Sequence, residues 1–299
     1  MKPFEVSGVS KRYGRVRALR EVSFGVEAGE VFGYLGPNGA GKTTTLRIAM
    51  GLVHADHGEV RLMGVPAGHA RARDGVGYLP GELSLYSDMT GRDLLDYFAS
   101  FRPGRPPALR ARLLLAFQLG EAELTRRVKT LSHGTRQKLG LVLAMQHDPD
   151  LLLLDEPTAG LDPLVQRSFR DVLREFTSRG KAVLLSSHVL SEVEAVCGRV
   201  AILRAGQLLA VESIQTLRGR VVRHMQVRFA GEAPATLAGL PGVARAQLAG
   251  REATLWVQGD LNPLLREIAG HAVDQLSFPE PQLENIFLEI YGREDRDRA

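Results

Sequence analysis

Two segments of the chain, Val31-Phe32-Gly33-Tyr34-Leu35 and Leu151-Leu152-Leu153-Leu154, are apolar or glycine at every position. A strand with one wet face alternates with a period of two. A short unbroken apolar run bounded by turn residues reads instead as a strand covered on both faces, as in the centre of a parallel sheet. The runs Ala182–Ser187 and Val200–Leu203 read the same way. Phe4-Glu5-Val6 and Val22-Ser23-Phe24-Gly25-Val26 alternate and are separated by glycine turns, and Gly58–Gly64 has the pattern of a hairpin. Between about Ser84 and Asp148 the period becomes helical. Thr90 stands as the cap of a helix through Phe101, Arg102–Pro107 is a Pro/Arg linker, and Arg136–Gln146 is a further helix. The sheet pattern resumes at Leu151 and runs to about Val211. This predicts an α/β domain over 4–219 with a helical insertion at about 84–148.

Residues 220–291 carry a different pattern. Short alternating runs (Met225–Phe229, Thr254–Val257) mix with helical ones (Leu261–Ala269, Leu283–Tyr291). They predict a small C-terminal α+β domain, for which a ferredoxin-like arrangement is one candidate. Arg293 onward is densely charged, so 292–299 reads as a disordered, solvated tail.

Composition narrows the class. The 299 residues are 44% hydrophobic and 24% charged, ordinary for a globular protein with a core. No apolar run approaches the ~20 residues needed to cross a bilayer, and Met1-Lys2-Pro3-Phe4-Glu5 lacks a signal-peptide core. The single Cys197 excludes an internal disulfide and fits a reducing cytoplasm. Nine arginines against eleven acidic residues over 220–299 leave −2 there and +6 for the rest. An acidic appendage is a poor grip for nucleic acid, so no nucleic-acid partner is expected.

The chemistry starts at Gly36-Pro37-Asn38-Gly39-Ala40-Gly41-Lys42-Thr43-Thr44. It matches G-x-x-x-x-G-K-[ST] between a predicted strand and a predicted helix, which is the context a phosphate-binding P-loop requires. Its glycines let backbone N–H groups turn toward phosphate oxygens, and the helix N-terminus adds partial positive charge. Lys42 is placed to reach the β- and γ-phosphates and Thr43 to ligate Mg²⁺. The all-leucine strand ends in Asp155-Glu156-Pro157. Neighbouring strand residues point to opposite sides, so the two carboxylates take different tasks: Asp155 for Mg²⁺, Glu156 to polarise an attacking water. Farther along, Ser132 and Gly134 open a helix and offer a hydroxyl and N–H groups to an anion. Taken alone, Ser132 would be an ordinary helix cap, His188 a structural histidine, Tyr13 a packing aromatic and Asp162 a cap before Pro163.

In order and spacing these residues resemble the ATP-binding subunits of ABC transporters over about 4–215. Leu131-Ser132-His133-Gly134-Thr135-Arg136-Gln137 is similar to that family's signature motif. Ala159-Gly160-Leu161-Asp162 resembles its D-loop, His188 its switch histidine, and Tyr13 the aromatic that stacks on adenine. The closing Leu283–Leu288 is similar to the ending of the drug-exporter (daunorubicin-resistance) type. The resemblance implies a P-loop NTPase fold with a RecA-like core and a helical signature subdomain, using ATP and Mg²⁺. It further implies a homodimer with each ATP sandwiched between one P-loop and the opposite Ser132 and Gly134, and a separate membrane permease. Lys42, Glu156 and His188 would then be catalytic. The protein would be peripheral, at the cytoplasmic face of the cell membrane, and would drive export. Two departures stand out. His133 and Thr135 replace a glycine and a glutamine of the signature, and Gly81 falls where the family has a glutamine, so Glu82 becomes a candidate oxygen donor to Mg²⁺. A soluble, mechanical ABC-type ATPase is the rival from another class, but such chains usually carry two cassettes or a long coiled-coil insertion. A slowly hydrolysing regulatory binder is the third reading.

Overall fold

The computed structural model describes residues 2–219 and 223–279. They fall into two compact units that divide between Glu212 and Ser213, where the sequence expectation stood at 219/220. The predicted helix Leu283–Tyr291 and the tail from Gly292 lie outside the described residues.

In chain order the first unit contains β1 (Phe4–Tyr13), β2 (Val16–Val26), β3 (Val31–Leu35), α1 (Lys42–Ala49), β4 (His57–Leu62), β5 (Val65–Pro66) and β6 (Val76–Leu79). The helical segment follows with α2 (Gly91–Ser100), α3 (Arg110–Ala116), α4 (Glu121–Leu124) and α5 (His133–Met145). It closes with β7 (Leu151–Asp155), α6 (Pro163–Ser178), β8 (Ala182–Ser187), α7 (Leu190–Val196), β9 (Arg199–Arg204) and β10 (Gln207–Ser213). The alternating segments form an antiparallel sheet in the order β2-β1-β4-β5. The unbroken apolar runs form the middle of a second sheet, β10-β9-β3-β8-β7-β6, whose pairs from β9 to β6 are parallel. Every residue of β3, β7 and β8 is buried, as strands covered on both faces require. One core joins the two sheets over α1, with Phe24 stacked on Phe32 at 5.5 Å between ring centroids.

Helix starts follow their capping residues. Thr90 accepts from Asp93 N–H at the head of α2, and Asp162 accepts from Val165 N–H at the head of α6, where Pro163 occupies the first turn. The helix expected at Arg136 begins one turn earlier because Ser132 caps it.

The second unit contains α8 (Ile214–Gly219), β11 (Arg223–Phe229), β12 (Val243–Ala249), β13 (Glu252–Val257), α9 (Asn262–Ala269) and β14 (Val273–Ser277). Its sheet runs β12-β13-β11-β14 with antiparallel neighbours throughout. Counted within the unit this order is 2-3-1-4, that of a ferredoxin-like sheet, with a short 3-10 turn (Ala235–Gly239) in place of the first crossover helix. Met225, Val227 and Phe229 of β11 alternate inward onto Leu264 and Ile268 of α9.

Candidate active site

The parallel strands are staggered so that their C-terminal ends meet at one edge. Leu35 pairs with Ser187, Asp155 with Ser186 and Leu79 with Leu154. The P-loop, the two carboxylates, His188 and the Pro80-Gly81 turn therefore converge where ligands of open α/β sheets bind.

The P-loop closes tightly from β3 into α1. A Cβ at Gly36 would lie 2.3 Å from the Leu203 carbonyl oxygen, and one at Gly41 (φ 114°) 2.5 Å from that of Ala18. Only glycine fits either place. Pro37, Asn38 and Gly39 are exposed, Ala40 is buried, and Thr44 is half-buried. Lys42 is 6% exposed. Its Nζ donates to the carbonyl oxygens of Gly36 (2.5 Å) and Pro37 (3.3 Å) and lies 3.4 Å from Glu156 Oε1.

The two carboxylates do diverge, with Asp155 the last residue of β7 and Glu156 just past it. Buried Asp155 accepts from Thr43 Oγ1 at 2.7 Å on one oxygen and from the Ser186 hydroxyl on the other. Its charge adds to burial in pushing the neighbouring Tyr78 phenol up to about 12. Glu156 follows the strand at φ 50°, in the left-handed region that non-glycine residues seldom enter and that often marks a functional site. Its N–H donates to the Ser186 carbonyl at 3.1 Å. Its Oε2 is 2.9 Å from His188 Nδ1, while its Oε1 is buried with no hydrogen-bond partner.

The signature residues form a second cluster. Ser132 Oγ accepts from Thr135 N–H at 3.1 Å and pairs with the Thr135 hydroxyl at 2.8 Å. The α5 N-terminus packs against the loop after β7. A Cβ at Gly134 would meet Gly160 O at 2.6 Å, and a Cβ at Gly160 (φ 74°) would meet the His133 ring at 2.5 Å. Lys138 pairs with Asp162 at 3.4 Å. Among the described residues no hydrogen bond links Ser132 or Gly134 to the P-loop.

Tyr13, at the end of β1, is 45% exposed, with Lys11 Nζ 5.6 Å from its ring centroid. Gly81 lies beside Asp155, and its missing Cβ would stand 3.0 Å from Oδ2. Glu82 is exposed and makes no hydrogen bond or ion pair among the described residues. Sequence reasoning missed Ser186, which holds Asp155 and the Glu156 backbone. The signal was the pair of hydroxyls ending an otherwise apolar strand.

A family model described as ABC transporter matches residues 19–159. The Nod factor export ATP-binding protein I of Burkholderia lata is 35% identical over 302 residues, covering 99% of this chain and 99% of its own length. That of Rhizobium etli is 34% identical, covering 98% and 95%. A solved ATP-binding subunit of an ABC transporter superposes with a TM-score of 0.67 at 31% identity, covering 72% of this chain and 91% of that one. A dimeric ATP-binding cassette bound to ADP and Pi gives a TM-score of 0.65 at 23% identity, over 71% and 98%, and so matches in fold. Relatives aligned over nearly the whole length, together with a P-loop and two diverging carboxylates at one sheet edge, make the chain a member of the ABC transporter ATP-binding proteins, an ATP-hydrolysing subunit.

Proposed function

We propose that this subunit hydrolyses ATP at the edge described above, as one half of a homodimer that energises export through a separate membrane permease. The observation that carries the site assignment is one connected network: Lys42, Thr43, Asp155, Ser186, Glu156 and His188 lie within hydrogen-bond or ion-pair distance of their neighbours in it. The Lys42 ammonium binds the β- and γ-phosphates, and exposed Tyr13 stacks on the base. Thr43 and Asp155 offer a hydroxyl and a carboxylate oxygen 2.7 Å apart, a hard-oxygen pair that suits Mg²⁺. When bound there, Mg²⁺ neutralises charge developing on the phosphates. Gly81 leaves Asp155 unobstructed on its side, and the neighbouring Glu82 is exposed.

Glu156 is the general base. His188 orients its Oε2; Oε1 makes no hydrogen bond and, once Lys42 turns to the phosphates, takes a proton from water aligned with the γ-phosphate. Exposed Ser132 and half-buried Gly134 make no hydrogen bond to their own P-loop among the described residues, which supports contact with the γ-phosphate held by a second copy. The dimeric cassette of matching fold supports the same reading. Export rests on the relatives' names, and membrane attachment on the permease. Among the described residues no helix is long and apolar enough to cross a membrane. The surface offered to the permease is the aromatic group Tyr86, Tyr97, Phe98 and Phe101, mutually packed yet exposed, beside a cavity of about 330 Å³ that Phe98 also lines.

Glu156→Gln tests the assignment. It keeps size and removes the base, so kcat falls by ~10²–10⁴-fold, while ATP now holds a stable dimer visible by size-exclusion chromatography. A wild type that turns over no faster than this variant sinks the reading.

A further inference from the structure

Gln137 lies one turn into α5 and is buried, yet its amide is spent on neither solvent nor its own helix. Nε2 donates to the carbonyl oxygens of Glu156 (3.3 Å) and Pro157 (3.1 Å). Glu156 holds a left-handed backbone, which persists in a non-glycine residue only where the surroundings fix it. Ser186 fixes the peptide on the N-terminal side of Glu156, and Gln137 fixes the one on its C-terminal side. The same helix turn carries Ser132 at its head and is tied to the loop after β7 by the His133–Gly160 packing and the Lys138–Asp162 pair. A movement of the signature end of α5 therefore reaches the backbone that aims the general base of the same chain.

We propose that Gln137 is a positioning residue that couples signature contact with the neighbouring subunit's ATP to the placement of Glu156 for hydrolysis of the chain's own ATP. This rests on the dimer reading above. The Glu156 carboxylate must meet a water and a γ-phosphate within a narrow geometry, and a misplacement of about 1 Å lowers rates by ~10²-fold. The Gln137 amide is the one side-chain donor among the described residues that reaches the Glu156 carbonyl.

The test uses the full-length chain with Gln137→Met, of equal length but without donors, and Gln137→Asn, which keeps the amide one methylene short. Both are checked for native far-UV circular dichroism and for ATP-driven dimerisation in a Glu156→Gln background. The expected result is a kcat lowered ~10²-fold for the Met variant, an intermediate value for Asn, an unchanged KM for ATP, intact ATP-driven dimers, and loss of positive cooperativity in ATP. A Met variant with wild-type kcat and cooperativity overturns the proposal. So does a fall in kcat matched by an equal loss of dimer, which makes Gln137 a packing residue only. Failure of the dimer reading shows separately, as a wild type and a Glu156→Gln protein that both stay monomeric in ATP.

Discussion

Thr45→Val is predicted to destabilise the ATPase unit more than Tyr34→Phe does, although both break the same hydrogen bond. Tyr34 on β3 and Thr45 on α1 are fully buried, and their hydroxyls meet at 3.0 Å. Thr45 also donates to the Gly41 carbonyl at 3.2 Å. Its one proton being used there, the tyrosine must be the donor in the pair. Tyr34→Phe removes that donor and leaves Thr45 bonded to Gly41, so the loss is one neutral hydrogen bond, about 1 kcal/mol. Thr45→Val keeps the shape but strands the tyrosine proton in the core. The lost bond and the desolvated donor together cost about 2–3 kcal/mol. Gly41 O is spared, because it keeps the Thr45 backbone N–H. The double variant buries no orphan and should lie closer to Tyr34→Phe than to Thr45→Val. Urea unfolding measures this, provided the two units are separated. The chain's only tryptophan, Trp256, belongs to the second unit, so its fluorescence follows that unit alone. Far-UV circular dichroism with that transition subtracted follows the first. A Tyr34→Phe variant as unstable as Thr45→Val, or a double variant less stable than either, refutes the assignment of donor and acceptor.

Thr43→Val removes the hydroxyl of the proposed cation pair while keeping its volume, and should raise the Mg²⁺ concentration for half-maximal hydrolysis by ~10–100-fold; an unchanged Mg²⁺ titration speaks against Thr43 as a ligand. His147 supplies a pH test of the fold. Burial, and then the charge of Arg102, push its imidazole down to about 4, so the native chain holds it neutral where the unfolded chain binds a proton below ~6.5. Its stabilisation is complete above ~6.5 and is lost as pH falls toward 4, worth about 2–3 kcal/mol across that window. His147→Asn, which cannot titrate, should lose less stability than wild type between pH 7 and 4.5 in urea melts; equal losses refute the assignment.

The sheet and the loop at its edge were readable because their causes are local. Four successive leucines have nowhere to go but a strand covered on both faces, and β7 is buried along its length. Glycines at 36 and 41 are demanded by backbone oxygens that a Cβ would strike, so the motif carries its own geometry. The divergence of Asp155 and Glu156 was expected from the strand period, although the left-handed backbone of Glu156, just past β7, is what sets its direction. Partnerships between distant positions were not readable. Ser186 looked like the polar end of an apolar run, yet it sits in register opposite Asp155 and holds both that carboxylate and the Glu156 backbone. Gln137 closed the signature-like stretch at the start of a predicted helix, and only the packing of α5 against the loop after β7 turns its amide toward Glu156 and Pro157. Glu82 gains no partner of that kind. A carboxylate one residue from a motif position is close in sequence but stays in solvent.

His133 shows how such a partnership alters the meaning of a departure. In sequence it is a large ring where the related signature has glycine, and so an obstacle to close approach by a phosphate. In the fold the ring lies over Gly160, whose left-handed backbone (φ 74°) and lack of a Cβ leave the room it needs. The exposed ring thus rests against its own D-loop. Ser132 is held separately by Thr135, the other departing residue, through its N–H and its hydroxyl. Of the two departures, His133 lies against another part of the chain, while the Thr135 bonds stay within the first turn of α5 and fix Ser132 there. A stiffer joint between signature and D-loop is what transmission through Gln137 requires, because a loose helix end would absorb the movement before it reached Glu156.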